Sequence, residues 1–197
     1  MATIRLVWLW LVTGLALRRG DLELVDHHLP ELRASALASE EPQRIVPMAG
    51  VAIPRAVIAG DRKDASSLAQ IVLGLRPSQY SLSAPALAAV RGLAALGDRD
   101  ALERIVDALA EAPDETRVVT GTALAAVAAL EDRHDDAATE LLAVEQTLRR
   151  LDRHYDAACV ALDRAASLER LGDERGAGEA RDRANALLVP LGCRYPY

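Results

Sequence analysis

Apolar stretches rich in alanine and leucine alternate along the chain with short polar turns. Five of these turns are alike: Arg19-Gly20-Asp21, Ala59-Gly60-Asp61, Leu96-Gly97-Asp98, Glu131-Asp132-Arg133 and Leu171-Gly172-Asp173. Four residues after each turn comes a small or apolar anchor, and the anchors Val25, Ala65, Leu102, Ala137 and Ala177 lie 40, 37, 35 and 40 residues apart. A period of this length, with a turn between two helix-forming stretches, predicts a repeated helix-turn-helix hairpin.

The turns divide the chain into five predicted hairpins of two antiparallel helices each. Their bounds are about residues 3–37, 44–75, 83–112, 114–151 and 153–189. We expect Pro54 to kink or shorten the first helix of the second hairpin, because proline removes a hydrogen bond and clashes with the preceding turn. Stacked in order, the hairpins predict one all-α domain over residues 1–197, an α-solenoid.

Composition supports an all-α chain and argues against several classes of function. Aromatic residues make up 3% of the chain and Phe is absent, so the predicted core consists of Ala, Leu and Val. The net charge of −6 and the lack of a basic, aromatic-rich surface pattern argue against nucleic-acid binding. Two cysteines, Cys159 and Cys193, are too few for a disulfide scaffold or a zinc site and indicate a reducing compartment.

The N-terminal segment is unusually apolar. Residues 6–17 read LVWLWLVTGLAL, between Arg5 and Arg18. A bilayer-spanning helix needs about 20 apolar residues, and no small-residue cleavage site follows, so we interpret the segment as the first, largely buried helix of the stack. Attachment to a membrane surface is the alternative. Because a solenoid needs a polar outer face at each end, we expect a second copy or another protein to cover this helix.

The hairpins share further positions when they are aligned on their turns. A second small or apolar residue follows each anchor at Leu32, Val72, Leu109, Val144 and Ala184, and prolines end three hairpins at Pro77, Pro113 and Pro190. Over nearly the whole chain this pattern resembles the tetratricopeptide repeat. The family's small residue before the turn corresponds to Thr13, Ile53, Val90, Ala125 and Ala165, so the last two hairpins match best. The resemblance implies a right-handed superhelix that binds a protein partner or a peptide helix.

The last hairpin carries a second resemblance. Residues 168–192, LERLGDERGAGEARDRANALLVPLG, are similar to the closing repeats of large bacterial signalling proteins, such as LuxR-type and AfsR-type ATPase regulators and some nucleotide cyclases. The sequence has no G-x-x-x-x-G-K-[ST] phosphate loop. The resemblance therefore implies a non-catalytic scaffold or regulatory module in bacterial signalling or transcription control, located in the cytoplasm and needing no cofactor.

The resemblance also assigns a binding groove. In this family the first helix of each hairpin lines the concave face, which places there Val7, Trp10, Gly14, Leu17, Pro47, Gly50, Pro54, Val57, Ala84, Leu87, Arg91, Ala94, Val119, Thr122, Ala126, Ala129, Cys159, Leu162, Ala166 and Glu169. Because only Arg91 and Glu169 are charged, the groove either takes an apolar helix or is filled by neighbouring structure. The predicted partner-binding residues are Trp10, Leu17, Leu87 and Arg91.

Two polar groups are the candidates for chemistry. One consists of His134, Asp135 and Asp136, and the other of His154 and Asp156. Histidine beside carboxylates can hold a metal ion or transfer a proton. Both groups lie at predicted helix starts, where acidic side chains satisfy free N–H groups and complement the helix dipole, and we favour this capping interpretation. A metal-dependent enzyme that uses the first group is the competing interpretation.

Overall fold

The structure is a computed structural model that describes residues 2–75, 83–109 and 117–194. These residues form ten α-helices and no β-strand, which confirms the expected all-α class. The helices are α1 (Ala2–Arg19), α2 (Leu22–Ser39), α3 (Pro42–Ile58), α4 (Arg62–Leu73), α5 (Ser83–Leu96), α6 (Arg99–Leu109), α7 (Arg117–Leu130), α8 (His134–Arg150), α9 (His154–Arg170) and α10 (Glu174–Leu191).

The two helices of each predicted hairpin pack against each other. Between hairpins, α1, α3, α5 and α7 pack in sequence, and α8 packs on α9. The helix ends agree with the predicted bounds to within about two residues wherever both are described. The bounds near 112 and 114, with Pro77 and Pro113, lie outside the described residues.

The Gly-Asp turns have the chemistry that their sequence indicates. Gly20, Gly60, Gly97 and Gly172 all adopt a left-handed conformation, with φ between 68° and 77°. The Asp that follows each glycine accepts a hydrogen bond from a backbone N–H at the start of the next helix. Glycine thus ends one helix at no steric cost, and Asp caps the next one, so only two or three residues separate the helices at these turns.

The fourth turn reaches the same backbone path with different residues. Asp132 takes the left-handed conformation, at φ 59°, and Arg133 precedes α8 without a side-chain cap. The connection from α8 to α9 repeats this arrangement with Asp152, at φ 54°, and Arg153. Both connections read Asp-Arg-His, a second turn type that the sequence analysis did not separate from the first.

The prediction that Pro54 shortens its helix is wrong. Helix α3 runs without interruption through Pro47 and Pro54 to Ile58, and both prolines are buried. The helix packs against α1 on one side and α5 on the other. This burial outweighs the local cost of a missing backbone donor, as tertiary context often does.

The repeat register identifies the core. All five anchors, Val25, Ala65, Leu102, Ala137 and Ala177, have no exposed surface. The second set and the positions that precede the turns are buried as well, including Thr13, whose hydroxyl donates to the carbonyl oxygen of Leu9. The spacing that was read from the sequence therefore marks the inward-facing residues of the hairpins.

Helices α3 and α5 approach each other very closely. A Cβ atom built on Gly50 would lie 2.6 Å from Cα of Pro85, and one on Gly92 would lie 2.5 Å from Cγ2 of Ile53. Real Cβ atoms do not tolerate such distances, so two glycines facing each other's helix make this packing possible.

Helix α1 is buried on one face only, although we expected a largely buried helix. Leu6, Leu9 and Leu17 lie in the core, whereas Trp8 and Leu11 are at least half exposed. None of the ten helices in the described ranges is both long and apolar enough to cross a bilayer.

Candidate functional site

A small cavity, called the inner cavity below, lies where α1, α3, α5 and α9 meet. Its walls include Trp10, Gly14 and Leu17 of α1, Pro47, Gly50 and Pro54 of α3, Pro85, Leu87 and Arg91 of α5, and Tyr155 and Cys159 of α9. Its volume of about 70 Å³ holds a few water molecules. A peptide helix, about 10–12 Å wide with its side chains, does not fit.

All four predicted partner-binding residues line the inner cavity. Leu17, Leu87 and Arg91 are buried and Trp10 is half-buried. Most of the wall residues belong to the predicted groove. The space they line is a small cavity and not an open groove, because residues of α9 form part of its wall. The four side chains pack against their own chain there.

An ion pair joins α5 to α9 beside this cavity. Arg91 donates from Nε to Oδ2 of Asp163 at 2.5 Å and from a terminal nitrogen to Oδ1 at 3.1 Å. The arginine side chain is 5% exposed and the aspartate side chain 25%. Two parallel charge-assisted bonds between a buried guanidinium and a carboxylate fix both position and orientation. The partners lie 72 positions apart, so no local pattern in the sequence could have indicated Asp163.

Two further contacts connect α9 and the C-terminal residues to α1. The guanidinium carbon of Arg18 lies 4.6 Å from the ring centre of Tyr155, a cation–π contact. The backbone N–H of Arg194 donates to the carbonyl oxygen of Arg18 at 2.7 Å. The first and last parts of the described chain therefore meet beside the inner cavity, whose wall includes Arg18 and Tyr155.

Two titratable groups in this region, Cys159 and Tyr155, have a raised pKa. Burial raises the pKa of the Cys159 thiol to about 11, and the Arg91 guanidinium only partly opposes that shift. Burial also raises the pKa of Tyr155, and the neighbouring Cys159 adds to the effect. Because the thiolate is the reactive form of cysteine, Cys159 is a packing residue rather than a nucleophile.

A second and larger space, called the outer cleft below, lies between α5, α7, α8 and α9. Its volume is about 340 Å³. It exists because α7 and α9 share no contact comparable to those between α1, α3, α5 and α7. Alanines make up much of its wall, and His134 and Arg170 lie in that wall too.

The two halves of the His134 group point in different directions. His134 lines the outer cleft, and its Nδ1 is buried without a hydrogen-bond partner. Asp135 and Asp136 are exposed, and Asp136 pairs with Arg133 of the preceding turn instead of capping the helix. Asp156 pairs in the same way with Arg153, at 2.9 Å. Within the described residues no three His, Cys, Asp or Glu side chains converge to hold a metal ion.

The solvent side of α1 carries a stripe of large apolar side chains, called the α1 outer face below. It consists of Ile4, Val7, Trp8, Leu11 and Leu15, each between 45% and 77% exposed. The ring of Trp8 meets the edge of His28, with ring centres 5.2 Å apart, so this indole rests on α2. The apolar composition of the helix did not by itself indicate this stripe, although the spacing of four, three and four residues between Ile4, Trp8, Leu11 and Leu15 is visible in the sequence.

Comparisons with protein-family models, curated proteins and solved structures found no match for this chain.

Proposed function

We propose that this chain is a non-catalytic protein–protein interaction module, a scaffold or regulator in bacterial signalling or transcription control. The observation that carries the proposal is the α1 outer face. Soluble monomers rarely expose a contiguous stripe of five large apolar side chains, and such a stripe marks a contact surface. The burial of all repeat anchors supports the tetratricopeptide-like part of the proposal, a right-handed α-solenoid with α1 at one end.

A second copy of the chain is the partner that best fits this surface. Ile4, Trp8, Leu11 and Leu15 have the alternating spacing of a coiled-coil seam. Two copies of α1 related by a two-fold axis perpendicular to the helix lie antiparallel. Ile4 then faces the second copy's Leu15, and Trp8 faces its Leu11, so the surface is complementary to itself.

The size of the stripe suits a dimer. A fully buried Trp side chain removes about 150–250 Å² of surface from water, and the five side chains at their observed exposures present on the order of 400 Å² of accessible apolar surface. Pairing two copies buries roughly 800 Å² of apolar surface, which is the apolar share of a standard interface of about 1,200–2,000 Å².

The charges around the stripe favour a second copy over a membrane. Antiparallel pairing brings Arg18 and Arg19 towards the N-terminal end of the second α1, where Arg5 is already neutralised by Glu31. Helix α2, beside the stripe, carries the exposed Glu23, which repels the anionic surface of a bacterial or vesicle membrane. The opposed helix dipoles of an antiparallel pair add a small favourable contribution.

Sedimentation equilibrium of the purified chain tests this proposal over about 1–100 µM protein, the range in which such an interface associates. The wild-type chain is expected to be a dimer at the upper end. Leu11→Glu places a charge at the centre of the apolar contact and is expected to weaken association about a hundredfold. Circular dichroism checks that the variant is folded.

Leu124→Glu is the matched control, because Leu124 is 42% exposed on α7 and receives the same charge. It is expected to dimerise like the wild type. A wild-type chain that is monomeric at every concentration overturns the second copy as partner. Sedimentation with anionic phospholipid vesicles that is lost in Leu11→Glu assigns the face to a membrane instead.

A further inference from the structure

The outer cleft has the composition of a site for a small amphipathic molecule. Its wall contains Ala94, Ala95, Ala125, Ala126, Ala129 and Ala166, whose short side chains leave the space between α5, α7 and α9 unfilled. Leu141, from α8, is also part of the wall. An apolar chain that enters this space loses contact with water along most of its length, which favours binding.

One unpaired positive charge lies in the same wall. Arg91 and Asp163 line the cleft as well, but they pair with each other and contribute no net charge. Arg170, near the end of α9, has no hydrogen-bond or ion-pair partner among the described residues. A guanidinium is a fork of N–H donors that fits a carboxylate, so Arg170 selects an anion.

His134 supplies a second donor. Its Nδ1 is buried without a hydrogen-bond partner among the described residues. Nε2 lies 3.7 Å from Oδ1 of Asp132, an exposed side chain that is not part of the cleft wall. Nδ1 is therefore the ring atom that lacks a hydrogen bond, and a carboxylate in the cleft supplies an acceptor for a proton on it.

We propose that the outer cleft binds a singly charged carboxylate with an apolar chain of about eight carbons. The carboxylate accepts hydrogen bonds from Arg170 and from Nδ1 of His134, and the chain lies along the alanine wall. At about 30 Å³ for each water-sized group, a volume of about 340 Å³ accommodates roughly ten heavy atoms, the size of octanoate. This site is independent of the α1 outer face, and its failure would leave the proposed function untouched.

Isothermal titration calorimetry with sodium octanoate tests the site, with the alanine methyl signals in an NMR spectrum as a second readout. A ligand of ten heavy atoms is expected to bind with a dissociation constant on the order of 0.1–1 mM. The methyl signals of Ala126 and Ala166 are expected to shift on binding. Octan-1-ol, which has the same chain without the charge, is expected to bind about tenfold more weakly.

Variants separate the cleft from non-specific binding. Arg170→Gln is expected to weaken octanoate binding about tenfold, and Ala166→Leu to abolish it by filling the space. Arg149→Gln is the matched control, because Arg149 is exposed on α8, has no partner among the described residues and lies outside the cleft. Leu11→Glu is expected to bind like the wild type. Absence of binding, or equal binding by Arg170→Gln and Arg149→Gln, overturns the proposal.

Discussion

Helices α3 and α5 are packed very closely. Helices α7 and α9, by contrast, are separated by a gap. In the first pair, Gly50 allows the backbone of Pro85 to come so close that a single added methyl group would collide with it. In the second pair, the first helices of two successive hairpins leave a cleft of about 340 Å³. Both pairs occupy equivalent positions in the repeat.

The difference shows that the separation of stacked helices is set residue by residue at the contact. Helix α7 has a glycine too, but Gly121 faces Val144 of α8, within its own hairpin. Helix α9 packs on α8 and α10 instead of α7. The repeat register therefore fixes which residues face inward, and glycine placement decides how near neighbouring hairpins come.

The largest expected effect is at the ion pair between Arg91 and Asp163, which joins α5 to α9 beside the outer cleft. Asp163→Ala leaves the buried guanidinium of Arg91 without its carboxylate, and the expected loss in the free energy of unfolding is about 3 kcal/mol. Urea denaturation measures this loss. Asp163→Asn, which keeps an acceptor oxygen, is the control and is expected to cost clearly less. Equal stability of Asp163→Ala and the wild type would mean that the pair does not hold α9 in place.

The next effect is at the close interface. Gly50→Ala forces the added Cβ against the backbone of Pro85, which cannot rotate away as a side chain can, and the expected loss is about 1–3 kcal/mol. Gly178 provides the matched control, since it lies within α10 and nothing approaches the position of its Cβ within 4 Å. Gly178→Ala is expected to stabilise the chain by about 0.5–1 kcal/mol. The same sign for both substitutions, measured by urea denaturation, would contradict close packing of α3 on α5.

Local features of the fold could be predicted from the sequence because their causes are local. Gly20 and Asp21 carry the turn geometry in two adjacent residues, and Val25 follows at a fixed helical spacing. Pro54 does not shorten its helix, because the lost hydrogen bond and the clash with the preceding turn are local costs, whereas α3 is held by packing against α1 and α5.

The candidate sites depended on relations that no local pattern contains. Trp10 and Arg91 both line the inner cavity, where α9 contacts α1 through Arg18 and Tyr155 and leaves no open groove. Whether a stack of hairpins closes in this way depends on its accumulated curvature. The outer cleft was not predicted for the same reason, since it results from the absence of a contact rather than from a motif.

The smallest expected effect concerns two turns, the one that follows α3 and the one that follows α7. Gly60 and Asp132 hold the same left-handed conformation, one beside the close interface and the other beside the cleft. A residue with a Cβ is strained there, so Asp132→Gly is expected to stabilise the chain by about 0.5 kcal/mol and Gly60→Asp to destabilise it by about 1 kcal/mol. The second value is a pure backbone cost, because no atom lies within 4 Å of the added Cβ. Thermal unfolding followed by circular dichroism measures both, and a neutral Gly60→Asp would show that Asp serves in these turns as well as glycine does.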